Sequence, residues 1–324
     1  MSSPPHGVTI GVFGTDESAK GALRSALGKK SEAEGIIVYH RTEGGRKVSF
    51  LDASDYPGRI QGYARVASIS DHAFYVFPKT GTLAPPDGEL AVLLESLGLA
   101  GTIQVLDGSG SPEAVARALK GTAVATYPVE ERSSASTALD ISRVSPGQRF
   151  PRSGTLVYVD RVFSVKGVGT VALGFILSGT VKVHDQLRPI SAQPGVVADV
   201  RGIQVNDEDF ESAGRGIRVG LSLRGVEPAD LQKSSWLDDG SFATSQTLAL
   251  HFEKSPYYRQ DLDGRDLHVQ LAGEALTAKL ARGPDGVLNV SLPAGAPVWD
   301  GMKAAVLDLN AKTLRVAGGG TLTL

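Results

Sequence analysis

Apolar positions follow two rhythms along the chain, and the change between them divides it. In the first third, short apolar runs alternate with stretches of helical spacing. Residues 8–13 and 73–77 read as strands, 22–27 as helical, and 89–97 and 112–119 as helices with one apolar face. That strand–helix order predicts an α/β layer. From residue 156 the period shortens. Runs of Val, Ile, Leu and Thr recur about every ten residues between Gly, Asp or Pro, which predicts an antiparallel barrel. Gly167 and Gly169 flank a tight connection where a missing Cβ permits positive φ. Gly174 and Gly179 would relieve crowding where strands bend into closure. From Thr244 strands return at 246–252, 267–271, 275–280, 286–290, 303–308 and 312–317. Breaker-rich residues 132–137 and 145–151 predict a linker. The domains are therefore expected at 1–145, 155–232 and 240–324.

Composition narrows the chemistry. The 324 residues are 41% hydrophobic and 21% charged, which fits globular domains and argues against broad disorder. A net charge of −2 gives no global pull toward nucleic acid or anionic membranes, so any RNA contact must come from a local patch. The absence of cysteine excludes disulfides, thiolate metal sites and cysteine nucleophiles, and is compatible with a cytoplasmic location. The N-terminus has no basic segment before an apolar core, so no signal peptide is read. No apolar run approaches the roughly 20 residues a spanning helix needs. His251, Glu253 and Asp261 lack ligand spacing and read as surface residues.

Gly14-Thr15-Asp16-Glu17-Ser18-Ala19-Lys20-Gly21 lies where a phosphate loop would, between a strand and a helix. Gly14 and Lys20 fit the pattern of Gly, four residues, then Gly-Lys-Ser/Thr. Ala19 replaces the second glycine, and Gly21 replaces the hydroxyl residue that would ligate magnesium. Asp16 and Glu17 add negative charge beside the phosphate position. On their own, Lys20 reads as a solvated lysine at a helix start, and Asp52 and Asp55 as turn or capping residues.

Val162-Phe163-Ser164-Val165-Lys166-Gly167-Val168-Gly169-Thr170-Val171 resembles the opening of the second domain of elongation factor Tu and of the selenocysteine-specific elongation factor. The likeness continues in order through residues 177–187, 200–205 and 219–226. This resemblance to the translational GTPase family implies a P-loop-type α/β domain followed by two antiparallel β-barrels. It also implies where nucleotide chemistry should sit, and those positions are changed. Residues 48–58 resemble the run Ile-Asp-Ala-Pro-Gly-His, with Asp52 and Ala53 kept. Asp55 stands for the glycine that senses the γ-phosphate, and Tyr56 for the histidine that positions water. Residues 34–37 resemble the switch element Arg-Gly-Ile-Thr, with Ile37 in place of the magnesium-binding threonine. Asp107, Gly108 and Gly110 occupy the guanine-reading positions of Asn, Lys and Asp. A glycine offers no carboxylate to the base.

The expectation is a degenerate, non-enzymatic pseudo-GTPase domain with magnesium and GTP binding lost or very weak. The resemblance implies tRNA and/or the ribosome as partner, contacted through the second domain. Candidate RNA contacts are Arg161, Lys166, Gly167, Gly169, Lys182, Arg218 and Arg224. Residues 314–320 resemble the closing strand of the family's third domain. The selenocysteine factor has a fourth, messenger-RNA-binding domain that the resemblance does not reach, so hairpin-directed recoding is not expected. Two alternatives stay open: an enzyme with unusual nucleotide ligands, for example a metal-free site on Gly14 and Lys20, and a protein-interaction scaffold.

Overall fold

The computed structural model describes residues 5–324, except 34, 134–138, 140, 142–143, 145–148, 191–194 and 232–235. The first domain comprises β1 (Gly7–Phe13), α1 (Glu17–Leu27), β2 (Lys29–Ala33), β3 (Ile36–Glu43), β4 (Arg46–Ala53) and α2 (Gln61–Ile69). It continues with β5 (His72–Val76), α3 (Pro85–Ser96), β6 (Gly101–Leu106), α4 (Pro112–Ala118) and β7 (Val129–Arg132). All seven residues of β1 are buried, as a strand covered on both faces requires. It lies central in a sheet ordered β2-β3-β4-β1-β5-β6-β7. The strands from β4 to β7 run parallel, while β2 and β3 add an antiparallel edge.

The second domain is built from β8 (Leu156–Val165), β9 (Gly169–Ser178), β10 (Thr180–Lys182), β11 (Gln186–Pro189) and β12 (Ala198–Val205). It ends with β13 (Glu208–Phe210), β14 (Ser212–Gly214), β15 (Arg218–Arg224), a helical turn α5 (Pro228–Leu231) and β16 (Trp236–Asp238). Because β11 pairs with both β16 and β12, the ring β11-β16-β8-β9-β15-β12 closes. The third domain is a closed barrel of β17 (Ala243–Lys254), β18 (Leu267–Leu271), β19 (Glu274–Arg282), β20 (Val287–Val298), β21 (Lys303–Leu307) and β22 (Val316–Thr323). The α/β domain followed by two antiparallel barrels is thus present.

Several boundaries differ from the sequence expectation. The barrel expected to stop at 232 needs β16 for closure, because a strand of three residues pairs with both β8 and β11. Helix α1 begins at Glu17, before residue 22, since Asp16 caps it. Residues 312–315 are not strand, and β22 begins at Val316. Most of the expected linker lies outside the described residues, but Arg149 and Phe150 are described and packed. No helix among the described residues is long and apolar enough to cross a membrane.

One continuous apolar cluster runs through the first and third domains, from Phe13, Tyr63 and Leu90 to Leu250 and Val306, and takes in Tyr158, Phe175 and Trp236 of the second. The second domain keeps its own core around Val157, Val200 and Leu221. Helix α2 packs on β18 and β19, and α3 on β21 and β22. Both faces of α3 are therefore covered, which explains why even Asp87 and Glu89 are buried there. At the three-domain junction the buried Arg149 guanidinium donates to the carbonyls of Ala67, Ser70 and Leu97 at 2.7, 3.0 and 3.1 Å. Burial draws its pKa down to about 10. Its own carbonyl accepts from Trp299 Nε1 at 3.2 Å. Beside it, Arg215 lies over the Phe150 ring and pairs with Asp71 at 2.6 Å.

Strand β22 approaches the end of α3 closely. A Cβ on Gly319 would lie 2.0 Å from the Ser96 carbonyl oxygen, so backbone must move to admit one. Gly319→Ala is expected to destabilise the protein by about 1–3 kcal/mol, measured by urea unfolding. Gly88→Ala, where a Cβ meets open space within α3, should instead be neutral or stabilising. Equal effects at both positions would contradict the close seam.

Candidate nucleotide site and barrel surface

The loop after β1 is shorter than the sequence pattern implied. Helix α1 already begins at Glu17, so Ala19, Lys20 and Gly21 are helical and only Gly14, Thr15 and Asp16 connect strand to helix. The early start follows from Asp16 itself. Its Oδ1 accepts from the amides of Ser18 and Ala19 at 2.9 and 3.0 Å, and its Oδ2 from the Lys79 amide at 2.8 Å. Burial acts against the charged form, but these amides hold the Asp16 carboxyl below its usual range. Thr15 is bound similarly: its amide and hydroxyl both donate to Asp87 Oδ1, at 3.2 and 2.6 Å. Helix-start amides are the donors a phosphate would use. Here the chain's own carboxylates occupy two of them, those of Ser18 and Ala19, together with the loop amide of Thr15.

Lys20 corrects the expectation of a solvated side chain. It is 4% exposed, and its Nζ lies 3.0 and 3.2 Å from the two oxygens of Asp52, which is equally buried. Asp52 is therefore neither a turn nor a capping residue; it is the counter-ion of Lys20. Glu17 Oε1 stands 2.7 Å from the same ammonium. Tyr63, fully buried, closes the cluster, with its hydroxyl 2.8 Å from Asp52 Oδ1, 3.1 Å from the Gly14 carbonyl and 3.1 Å from Lys20 Nζ. Burial first, and the Asp52 charge next, push the Tyr63 phenol well above its ordinary pKa, so it stays a hydrogen-bond donor. Ile37, half-buried, stands opposite Asp52 in the β3–β4 register.

The remaining degenerate positions scatter. Asp55 is an exposed turn residue, as expected, whose carbonyl accepts from the Arg59 amide. The Tyr56 hydroxyl reaches toward the third domain, 2.6 Å from the Pro86 carbonyl and 3.0 Å from Glu89 Oε2. Arg315 grips that carboxylate through its amide, Nε and Nη2 at 2.7, 3.1 and 2.5 Å, and its guanidinium lies over the Tyr56 ring. Asp107 and Gly108 take positive φ in the turn after β6, and Asp107 stands 3.6 Å from Lys79. A Cβ on Gly110 would meet Phe77 and Val115 at 3.1 Å, so this position is set by packing.

On the barrel, the candidate RNA contacts divide. Arg161, Lys166, Lys182 and Arg224 are exposed, and Gly167 and Gly169 form the positive-φ turn of the β8–β9 hairpin. Arg218 is not a free cation. It makes a two-pronged pair with the fully buried side chain of Asp160, both contacts at 3.1 Å, and lies over Phe175. Desolvation of Asp160 requires that partner. The sequence reading also missed an apolar tip on the same hairpin, where Phe163, Val165 and Val168 are 36%, 36% and 55% exposed. Strand alternation alone could not have revealed it, because these residues look like ordinary core positions. Between the first domain and the barrel lies a cleft of about 370 Å³ with mixed charge, where Lys29 meets Asp207 at 3.2 Å. His40 lines it, hydrogen-bonded to Ser31 and Ser49.

Two outcomes follow from this geometry. Lys20→Ala should cost about 3–5 kcal/mol in urea unfolding, because it leaves the Asp52 carboxylate buried without a counter-charge. The double variant Lys20→Met, Asp52→Leu should recover most of that loss, and a Lys20→Ala effect below about 1 kcal/mol would mean the pair is not buried in solution. His40 sets a pH dependence. Burial first, then the Arg218 charge, lower its pKa from 6.5 to about 4, so the unfolded chain binds more protons between those values. Its stabilisation is complete above the unfolded value and is lost as pH falls toward the folded one. His40→Gln should flatten the decline in unfolding midpoint across that window, though His72, also lowered by burial, will keep some slope.

Comparison with known proteins agrees with this architecture. The family described as elongation factor Tu domain 2 matches residues 169–237. An uncharacterized protein of Methanocaldococcus jannaschii is 26% identical over 318 residues, spanning 98% of this chain and 99% of its own length. The selenocysteine-specific elongation factor of Mus musculus is 30% identical over 139 residues, 43% of this chain and 24% of the mouse protein. The chain thus spans about a quarter of that elongation factor. A bacterial selenocysteine-specific elongation factor of known crystal structure superposes with a TM-score of 0.80 at 17% identity, over 98% of this chain and 58% of its own; that likeness is one of fold. The chain is a relative of the translational GTPases of the Tu and selenocysteine-specific type.

Proposed function

We propose that this protein is a non-hydrolysing relative of the Tu-type elongation factors, acting in the cytoplasm by binding tRNA and/or the ribosome rather than by turning over GTP. One observation carries the reading: the loop amides and the loop lysine that would hold a triphosphate are bound to Asp16, Asp87 and Asp52. A triphosphate would have to displace three carboxylates and then lie beside them. Close like charges in a poorly solvated site cost several kcal/mol. The magnesium position fares no better, with Gly21 offering no side-chain oxygen and the half-buried Ile37 standing where a threonine would be needed.

RNA as ligand rests on the relatives and on the exposed cations Arg161, Lys166 and Arg224. A second reading, a protein-binding scaffold, is favoured by the exposed apolar tip of Phe163, Val165 and Val168. Salt separates the two, since phosphate contacts weaken steeply with ionic strength and apolar contacts do not.

Calorimetry with GTP, GDP and ATP, with and without magnesium, should show no binding in the micromolar range; metal-dependent micromolar affinity would overturn the proposal. Filter binding with charged, uncharged and total tRNA, together with ribosome co-sedimentation, should show salt-sensitive association. Lys166→Ala and Arg224→Ala should each lower the slope of log affinity against log salt by roughly one. Absence of both tRNA and ribosome binding at low salt would leave only the scaffold reading.

A further inference from the structure

A second cleft, of about 320 Å³, lies between the start of α2 and the β18–β19 hairpin of the third domain. It is separate from the Lys20 cluster, and one of its lining residues, Gln270, carries a buried polar atom with nothing to bind. Gln270 is fully buried, and its Nε2 donates to Ser68 Oγ at 2.9 Å. The Ser68 hydroxyl spends its one hydrogen on the Arg65 carbonyl at 2.9 Å and also accepts from the Gly273 amide at 2.9 Å. It has no hydrogen left for a flipped amide, so the orientation of Gln270 is fixed and Oε1 is the atom left over. That oxygen has no hydrogen-bond partner among the described residues. An orphaned buried acceptor is destabilising, and a ligand N–H would relieve it.

The rim supplies the complementary features. Arg59 is exposed and its guanidinium has no partner among the described residues, while Asp55 is exposed on the same rim. Gln61 and Gly62, the first residues of α2, line the cleft, and the preceding residue, Ile60, gives that helix start no side-chain cap. The first-turn amides and the helix dipole therefore present positive character on this side. Arg65 and Glu274 stand 3.8 Å apart across the seam, Arg65 also donates to the Gly273 carbonyl, and Glu274 accepts from Tyr158. These two hold the walls. The four charges Asp55, Glu274, Arg59 and Arg65 sum to zero, so the cleft offers no net attraction to a simple anion or a simple cation.

We propose that this interdomain cleft binds a small zwitterion of the α-amino acid class. The carboxylate faces Arg59 and the uncapped start of α2, and the ammonium faces Gln270 Oε1 and Asp55. The volume suits a ligand of that size. Bound there, it would bridge the first and third domains and stabilise their seam by mass action.

The test uses the full chain, with calorimetry and thermal unfolding against the free α-amino acids, and with acetate and methylamine as half-ligands. At least one amino acid should bind and raise the unfolding temperature, while each half-ligand should bind at least roughly tenfold more weakly. Arg59→Ala, an exposed change that should leave the fold intact, is expected to weaken binding by roughly tenfold. Gln270→Leu should also weaken it while leaving the unliganded protein folded, since the variant removes the orphaned oxygen together with one hydrogen bond. No binding by any amino acid would overturn the proposal, as would acetate binding as tightly as the best amino acid. Unchanged affinity in both variants would do the same. None of these outcomes depends on whether the protein binds nucleotide or RNA.

Discussion

The protein is organised around one buried electrostatic requirement, an ammonium group that cannot stay charged inside the first domain without a counter-charge. Lys20 arrives at the end of β1 on the first turns of α1, a position where a phosphate loop would direct a lysine at a nucleotide. Here the negative partner is Asp52 from the neighbouring strand β4. Once that pair forms, the rest of the pocket follows. Tyr63 seals it from α2, and Asp16 turns back onto the helix amides. Isolated burial of either charge would cost several kcal/mol, so each of the two depends on the other to stay charged inside the domain.

The same α2 that carries Tyr63 also carries Ser68 and Arg65 into the third domain. The turn before it sends Tyr56 to Glu89, where Arg315 of the third barrel closes a bidentate clamp. The segment that would sense a nucleotide in the resembled family is thus built into a domain interface. An interface with a shared apolar core and buried polar pairs does not yield without an energy source. On the proposed reading no nucleotide supplies one, so ligand binding would be constitutive or gated by a partner.

How much of this was legible in the sequence depended on distance along the chain. Strand order and barrel character were readable because alternation and turn residues are local signals, and β18 matches its expected bounds of 267–271. What failed was set by partners far away. Lys20 looked like a solvated lysine because its counter-ion lies 32 residues on, and Arg218 looked free because Asp160 lies 58 residues back. The start of α1 was readable in principle. Asp16 followed by Glu17 is a helix-start pattern, but reading the segment as a phosphate loop displaced it. Strand β16 was missed because three residues are too few to show a period. The orphaned oxygen of Gln270 had no sequence signal at all, since it arises from how Ser68 spends a single hydrogen.

The losses and retentions in the two halves of the molecule have different physical characters. In the first domain the carboxylates nearest the place of a phosphate loop, Asp16, Asp52 and Asp87, each bind an amide, an ammonium or a hydroxyl of the chain itself. On the barrel, by contrast, the hairpin tip keeps exposed apolar side chains that fold stability does not require. Phe163, Val165 and Val168 stand out in solvent beside Lys166, while Arg218, in the same barrel, is tied down by Asp160. A surface that leaves an aromatic and two valines exposed around a cation forgoes the burial that would stabilise the fold. Whatever the first domain binds, it matters to such a surface, because its seams with the other two domains fix the barrel's orientation and hold that tip clear of the rest of the chain.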